Sequence, residues 1–355
     1  MVKLVHGGDI YSPGRKVLDF SANINPLGMP EPVRQALYHC AEACEHYPDP
    51  LCRDLTRVIG EKEGCPPQWI LCGNGAADVI FRLVFSQKPK KAAVLAPTFA
   101  EYEAALQAVG CTVVSYQLNP KEDFIPGEGF LRWLSQERPD MVFVCNPNNP
   151  TGQLLAEGVL EQAAALCQSF GALFVVDECF LDFVVGGEAQ SGKPFLSKYP
   201  IFLLKAFTKM YAMPGIRLGY GICADTALLE HAAACGQPWS VSVPAQAAGI
   251  AAYGMEGFEQ QTRDYVASAR KDLQDGLRRR GMKVWDSCTN YVLFYIEDKC
   301  LRKKLEQQDI LIRDCSNYRG LTPGYYRTAV RTPEENQRLL QALDQIMNNT
   351  DRGNE

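Results

Sequence analysis

Histidine is scarce in this chain of 355 residues, with four copies, and no CxxC pair occurs among its fourteen cysteines. His6, His39, His46 and His231 do not fall at ligand spacing beside the thiols, and Cys40 and Cys44 form only an i, i+4 pair, so no metal is expected. No uninterrupted apolar run approaches the roughly 20 residues of a membrane-spanning helix. The longest apolar-leaning stretch, Val243 to Tyr253, is Ala-rich and too short. Cationic blocks are missing too. Lys and Arg number 36 against 41 Asp and Glu, a formal charge of -5, and no basic stripe interleaved with aromatics marks a nucleic-acid surface. The opening MVKLVHGGDI lacks the apolar core and cleavage pattern of an export signal. The thiols are therefore expected to be reduced core residues of a cytoplasmic protein.

What is present is the balance of an ordinary globular chain, 46% hydrophobic and 22% charged. At roughly 150 residues per domain the length suggests two domains. Short apolar runs at Ala92–Ala96, Thr112–Tyr116, Met141–Cys145, Leu173–Asp177, Ile201–Leu204 and Leu218–Cys223 alternate with helical patterns such as Tyr102–Val109, Glu157–Phe170 and Asp225–Cys235. Strands without polar alternation, spaced by helices, predict an α/β fold with a mostly parallel sheet covered by helices. After Pro238–Pro244 the rhythm changes. A helical pattern runs from about Ala245 to Arg280, broken near Gly254–Gly257, followed by strands Tyr291–Ile296, Ile310–Arg313 and Tyr326–Arg331 and a closing helix from Pro333 to Met347. The expected division is a large domain over 41–240 and a smaller α+β domain over 241–355, with the N-terminal segment 1–40 packing on the latter.

Ligands of open α/β sheets sit beyond the carboxyl ends of the strands, and five places there carry chemistry. Cys72-Gly73-Asn74-Gly75-Ala76-Ala77-Asp78 opens a helix after an apolar run, and reads as an anion site of exposed N–H groups or as a plain strand-to-helix turn. Asn146-Pro147-Asn148-Asn149-Pro150-Thr151-Gly152 uses two prolines and a glycine to aim side-chain amides rigidly, or merely to turn the chain. Asp177-Glu178 ends a very apolar run, where a carboxylate must find a cation or donors, or caps the next helix. Thr208-Lys209 lies in apolar company with Arg217 eight residues on, and reads as the setting of an amine nucleophile or as a solvated surface lysine. Arg313, Arg327 and Arg331 lie on strands, where a guanidinium either forks onto carboxylate or phosphate oxygens or points at solvent.

Taken in order, these motifs resemble fold-type-I pyridoxal-phosphate enzymes over nearly the whole chain. Within them the chain is similar to the branch containing histidinol-phosphate aminotransferase and the threonine-phosphate decarboxylase of cobalamin biosynthesis, more so to the latter. The likeness to this branch is carried by His6-Gly7-Gly8, Leu18–Gly28 (LDFSANINPLG), Tyr47-Pro48-Asp49, Phe99-Ala100-Glu101-Tyr102, Pro238-Trp239-Ser240-Val241 and Ile312–Tyr318 (IRDCSNY).

The resemblance implies pyridoxal 5'-phosphate as cofactor, carried covalently on Lys209. It implies Asp177 against the pyridine nitrogen, Asn149 on the ring's 3-oxygen and Tyr102 stacked on the ring. The cofactor phosphate is expected on the N–H groups of Gly75, Ala76 and Ala77 with Thr208 and Arg217, and on Tyr47 reaching across from a second subunit of a homodimer. Substrate contacts are expected from Arg327 to an α-carboxylate, from Arg313, His6 and Gly7 to a phosphate, and from Asn25 and Asn149. Two departures stand out: Ala77 and Ala206 occupy positions where relatives often carry hydroxyl or acidic groups, and Phe180 replaces a tyrosine common in aminotransferases. The implied reaction is decarboxylation of L-threonine O-3-phosphate to (R)-1-amino-2-propanol O-2-phosphate. The alternative is a histidinol-phosphate-type or other amino-acid aminotransferase, and spacing alone does not separate them.

Overall fold

The computed structural model describes residues 6–351. Residues 1–5, part of the segment read for an export signal, lie outside it. The large sheet is built from β2 (Ile70–Gly73), β3 (Lys91–Ala96), β4 (Thr112–Gln117), β5 (Met141–Cys145), β6 (Leu173–Asp177), β7 (Ile201–Ala206) and β8 (Gly219–Ile222), in the order β2-β8-β7-β6-β5-β3-β4. Strands β5 to β7 are buried almost end to end, because helices cover both faces. The sheet is mostly parallel, as expected, with one exception: β8 runs antiparallel to both β7 and β2. Only the short connection 207–218 joins β7 to β8, and a chain that turns back that soon stays at the same end of the sheet and must reverse.

The helical stretch after residue 242 breaks as expected, into Val243–Tyr253 and Phe258–Arg278, with Gly257 at φ 77° starting the second helix. The C-terminal part holds a four-stranded sheet from β9 (Lys283–Val284), β10 (Tyr291–Tyr295), β12 (Arg313–Asp314) and β13 (Tyr325–Ala329), and the helix Pro333–Asp351. The single strand expected over 310–313 is two. Its first half, β11 (Ile310–Leu311), pairs in parallel with β1 (Leu18–Asp19) from the N-terminal segment, and β12 then turns to β13. Among the described residues no helix is long and apolar enough to cross a membrane.

Strands β2, β3, β5, β6 and β7 all point the same way, so the loops after them converge. The small C-terminal sheet and the N-terminal segment close over that edge, and a cavity of about 240 Å³ lies between.

Candidate active site

The cavity is lined from the large sheet by Ala76, Ala77, Asn149, Asp177, Thr208, Lys209 and Arg217, and from the covering side by His6, Gly7, Arg313 and Arg327. Residues far apart in sequence and predicted for one site therefore meet.

Lys209 sits in the short helix Phe207–Met210 that follows β7 directly. Burial, with the guanidinium groups of Arg327 and Arg217 nearby, lowers its ammonium to about 8, so about a tenth of the amine is free at neutral pH, far more than for an ordinary lysine. Asp177 ends β6 and is 5% exposed. Burial pushes its carboxyl up, against two donors: Tyr102 Oη at 2.5 Å and the Cys179 N–H at 2.9 Å. A carboxylate so placed is held ready for a cationic partner inside the cavity.

The glycine loop forms a cradle. Gly75 has φ 84°, which only glycine adopts easily, and a Cβ there would lie 2.6 Å from Arg217 Nη2. The guanidinium of Arg217 is therefore laid against the backbone at the start of the helix Ala76–Gln87, whose first N–H groups are unpaired donors. Gly219 of β8 is also obligatory in size, since a Cβ would press on the Ala76 nitrogen.

Arg327 is buried in the middle of β13. Its Nη1 donates to Asn149 Oδ1, its Nη2 donates to the Ser21 carbonyl at 2.8 Å, and its Nε has no partner. Because Arg327 occupies the Asn149 oxygen, the amide NH₂ of Asn149 is the end left for a ligand. Arg313 pairs with Arg327 across β12 and β13, its Nη2 donating to Asn317 Oδ1 at 2.8 Å and its guanidinium 5.3 Å from the Tyr318 ring. His6 Nε2 lies 2.5 Å from Glu101 Oε1. Gly7 leaves no room for a side chain beneath it, where Ser21 packs and donates no space. Arg319 and Arg331, two further cations near these strands, form ion pairs with Glu103 and Glu335.

Two predicted contacts, those of Tyr102 and Asn25, do not stand where they were expected. Tyr102 is fully buried with its ring parallel to Phe143 at 5.0 Å, so it supports Asp177 from below and cannot stack on a ring in the cavity; Phe99 forms that wall. Asn25 spends its amide on the Met210 carbonyl at 2.6 Å and Thr262 Oγ1 at 3.0 Å, and its N–H on the Lys209 carbonyl at 3.1 Å. It braces the lysine loop and does not line the cavity. Tyr47 lies outside its own subunit's cavity, 78% exposed and stacked on Trp239 at 4.5 Å. Residues missed are Phe99, Ser21, Asn23, Cys145, Cys179 and Tyr318, while Phe180, noted as a departure, lines the cavity. Cys145 and Cys179 stand at the ends of β5 and β6, the very places that strand-end reasoning singles out, but a cysteine there carries no obvious chemistry.

These features fit pyridoxal 5'-phosphate: a depressed lysine amine, a buried acid able to face a ring nitrogen, a backbone cradle a Cβ would fill, and an orphaned arginine nitrogen. The chain matches the family described as Aminotransferase class I and II over residues 15–343. It is 36% identical to threonine-phosphate decarboxylase of Salmonella typhimurium, with 96% of each chain covered. It is 29% identical to a longer bifunctional protein of adenosylcobalamin biosynthesis from Leptospira interrogans, covering 97% of this chain and 41% of that one. The structure of histidinol-phosphate aminotransferase from Clostridium acetobutylicum superposes with a TM-score of 0.87 at 29% identity, covering 94% of this chain and all of that one. The fold, the cavity and the match along most of its length establish that the chain belongs to the class I and II aminotransferase family of pyridoxal-phosphate enzymes.

Proposed function

We propose that this enzyme removes the α-carboxylate of L-threonine O-3-phosphate, giving CO₂ and (R)-1-amino-2-propanol O-2-phosphate for cobalamin biosynthesis. The observation that carries the substrate class is the register Arg313↔Arg327. Like charges directly opposite on paired strands repel, and two guanidinium groups kept together on one cavity wall call for a ligand with two anionic groups. A phosphorylated amino acid supplies both. The decarboxylase of Salmonella typhimurium, more similar in sequence than the Clostridium aminotransferase, supports the reaction type.

In this reading Arg327 forks onto the substrate carboxylate and Arg313, with His6 and the Gly7 amide, takes the phosphate. Ala76 and Ala77 hold the cofactor phosphate on their N–H groups, helped by Thr208 and Arg217, whereas the expected Gly75 N–H is taken by the Gly73 carbonyl at 2.8 Å and Gly75 serves as the turn. The missing hydroxyls at Ala77 and Ala206 leave that phosphate more dependent on Arg217. Bound pyridoxal phosphate supplies an electron sink for the pair released when the carboxylate leaves. Asp177, backed by Tyr102 and the Cys179 amide, holds a proton on the ring nitrogen. Asn149 offers its NH₂ to the ring's 3-oxygen. Lys209 first binds the cofactor and then, through Nζ, returns a proton to the substrate α-carbon in place of CO₂.

We further propose a homodimer in which the exposed Tyr47 reaches the partner's cofactor phosphate, in a cytoplasmic setting that keeps the fourteen free thiols reduced. The division at residues 40 and 240 is proposed likewise, supported by the β1–β11 pairing that ties the N-terminal segment to the C-terminal part.

The test is to incubate the holoenzyme with phosphothreonine and no keto acid. Catalytic CO₂ release is expected. A requirement for 2-oxoglutarate, with accumulation of pyridoxamine phosphate, overturns the reading in favour of an aminotransferase.

A further inference from the structure

The N-terminal segment reaches the cofactor cavity at His6 and Gly7. The two glycines after His6 are fixed through their backbone. A Cβ on Gly7 would lie 2.3 Å from the Ser21 carbonyl oxygen, and the Gly8 N–H donates to Ser21 Oγ at 2.7 Å. Ser21 Oγ donates in turn to Asp19 Oδ1 at 2.6 Å. These contacts anchor the chain on the covering side, but they do not fix the His6 side chain, which turns about two bonds of its own.

The imidazole is held from the opposite wall. The helix Ala100–Ala108 follows β3 of the large sheet, and Glu101 in its first turn meets His6 Nε2 at 2.5 Å. The Phe99 ring, just before that helix, lies 5.7 Å from the imidazole. The hydrogen bond to His6 holds the Glu101 carboxyl below its ordinary range, and an ionised carboxylate only accepts. Nε2 is therefore the nitrogen that donates to Glu101, and Nδ1 is left for a ligand. Glu103, two residues on, is taken by Arg319, so each carboxylate of this turn has its own cation.

We propose that Glu101 is a positioning residue for the substrate phosphate: by accepting from Nε2 it aims Nδ1 of His6 at that phosphate, beside Arg313. This rests on the proposed function, in which His6 and Arg313 take the phosphate. A ring that donates to both anions carries a proton on each nitrogen, and the carboxylate on one side and the phosphate on the other favour that charged form. Glu101 thus acts on the substrate only through His6. Its loss lets the ring turn, which weakens binding of the phosphate and leaves the bond-breaking step at the α-carbon alone.

The experiment is a double-mutant cycle on the holoenzyme with phosphothreonine as substrate. Glu101→Ala is expected to raise KM about tenfold and to leave kcat within about twofold. His6→Ala is expected to raise KM at least as much, and adding Glu101→Ala to it changes nothing further. Glu101→Gln keeps an acceptor for Nε2 and is expected to fall between the wild type and Glu101→Ala; it too is silent in the His6→Ala background, and it carries the cycle should the alanine variant not fold. Losses that add across the cycle, or a fall in kcat at unchanged KM, overturn the inference alone. An unchanged KM in His6→Ala removes His6 from phosphate recognition and the inference with it. A wild type that releases no CO₂ from phosphothreonine overturns the proposed function and everything that rests on it.

Discussion

Tyr102 and Asp177 are joined by a hydrogen bond of 2.5 Å between a fully buried phenol and the acid at the end of β6. Asp177 lines the cavity and Tyr102 lies beneath it, so the buried phenol has no water to turn to and donates to the carboxylate. Tyr102→Phe removes that donor and keeps the packing on Phe143. A hydrogen bond to a charged group contributes about 1.5–3 kcal/mol, so cofactor dissociation should strengthen by about tenfold or more, read by fluorescence titration of the apoenzyme. An unchanged dissociation constant would show that Asp177 is held by the Cys179 amide alone.

The Lys209 amine is the nucleophile that captures the cofactor aldehyde, and only its neutral form attacks. With its ammonium lowered to about 8, capture by the apoenzyme should accelerate as pH rises through about 8 and level off above it. Stopped-flow absorbance measures this. Borohydride should add the cofactor's mass to the wild type and not to Lys209→Ala.

Gly75→Ala and Gly219→Ala attack the phosphate cradle from two sides. The first places a methyl group 2.6 Å from Arg217 Nη2 in a backbone of φ 84°, and the second pushes on the Ala76 nitrogen. Both should weaken cofactor retention by about tenfold or more while folding persists, since a displaced charge-assisted contact costs on the order of 1.5–3 kcal/mol. Equilibrium dialysis with circular dichroism as control separates the two effects.

Arg313→Ala is expected to lower kcat/KM for phosphothreonine by about 100-fold, near 3 kcal/mol, through loss of a charged hydrogen-bonded contact. For unphosphorylated amino acids the same change should do little. Equal losses on both would remove Arg313 from phosphate recognition.

Glu63 provides a stability test away from the chemistry. Although burial opposes it, Lys205 and Lys193 hold its carboxyl at about 2, below the ordinary 4.5. A lowered carboxylate contributes stability above its unfolded value and loses it as pH falls from 4.5 towards 2. Glu63→Gln should therefore cost about 3 kcal/mol at neutral pH and flatten the acid limb of the unfolding profile, measured by urea denaturation.

Much of the fold was legible from strand composition. Strands covered on both faces must be apolar throughout, so Met141–Cys145 and Leu173–Asp177 are visible as uninterrupted runs, and the polar residues that end them mark the site. The direction of β8 was not legible, because a strand's residues do not state which way its neighbour runs. Tyr102 and Phe99 were confused for a related reason. Both flank the same helix start, and only the helix's placement on β3 decides which ring meets the cavity and which is buried under it. Asn25 reads as a ligand residue in its motif, yet its amide is consumed by Met210 and Thr262, partners distant in the chain.

The order of motifs along the chain therefore determined the family chemistry by itself: a lysine after one strand, an acid after another, a glycine loop at a helix start and arginines on late strands. Such signals are local, since each depends on a few neighbouring residues and on the strand or helix they end. Tertiary structure alone decided which groups touch. It set Arg313 beside Arg327, buried the Tyr102 phenol on Asp177 and gathered Glu63, Lys205 and Glu178 behind the sheet. Those contacts come from how strands and helices pack across long separations, and packing is settled by the whole molecule's shape rather than by any short stretch of it.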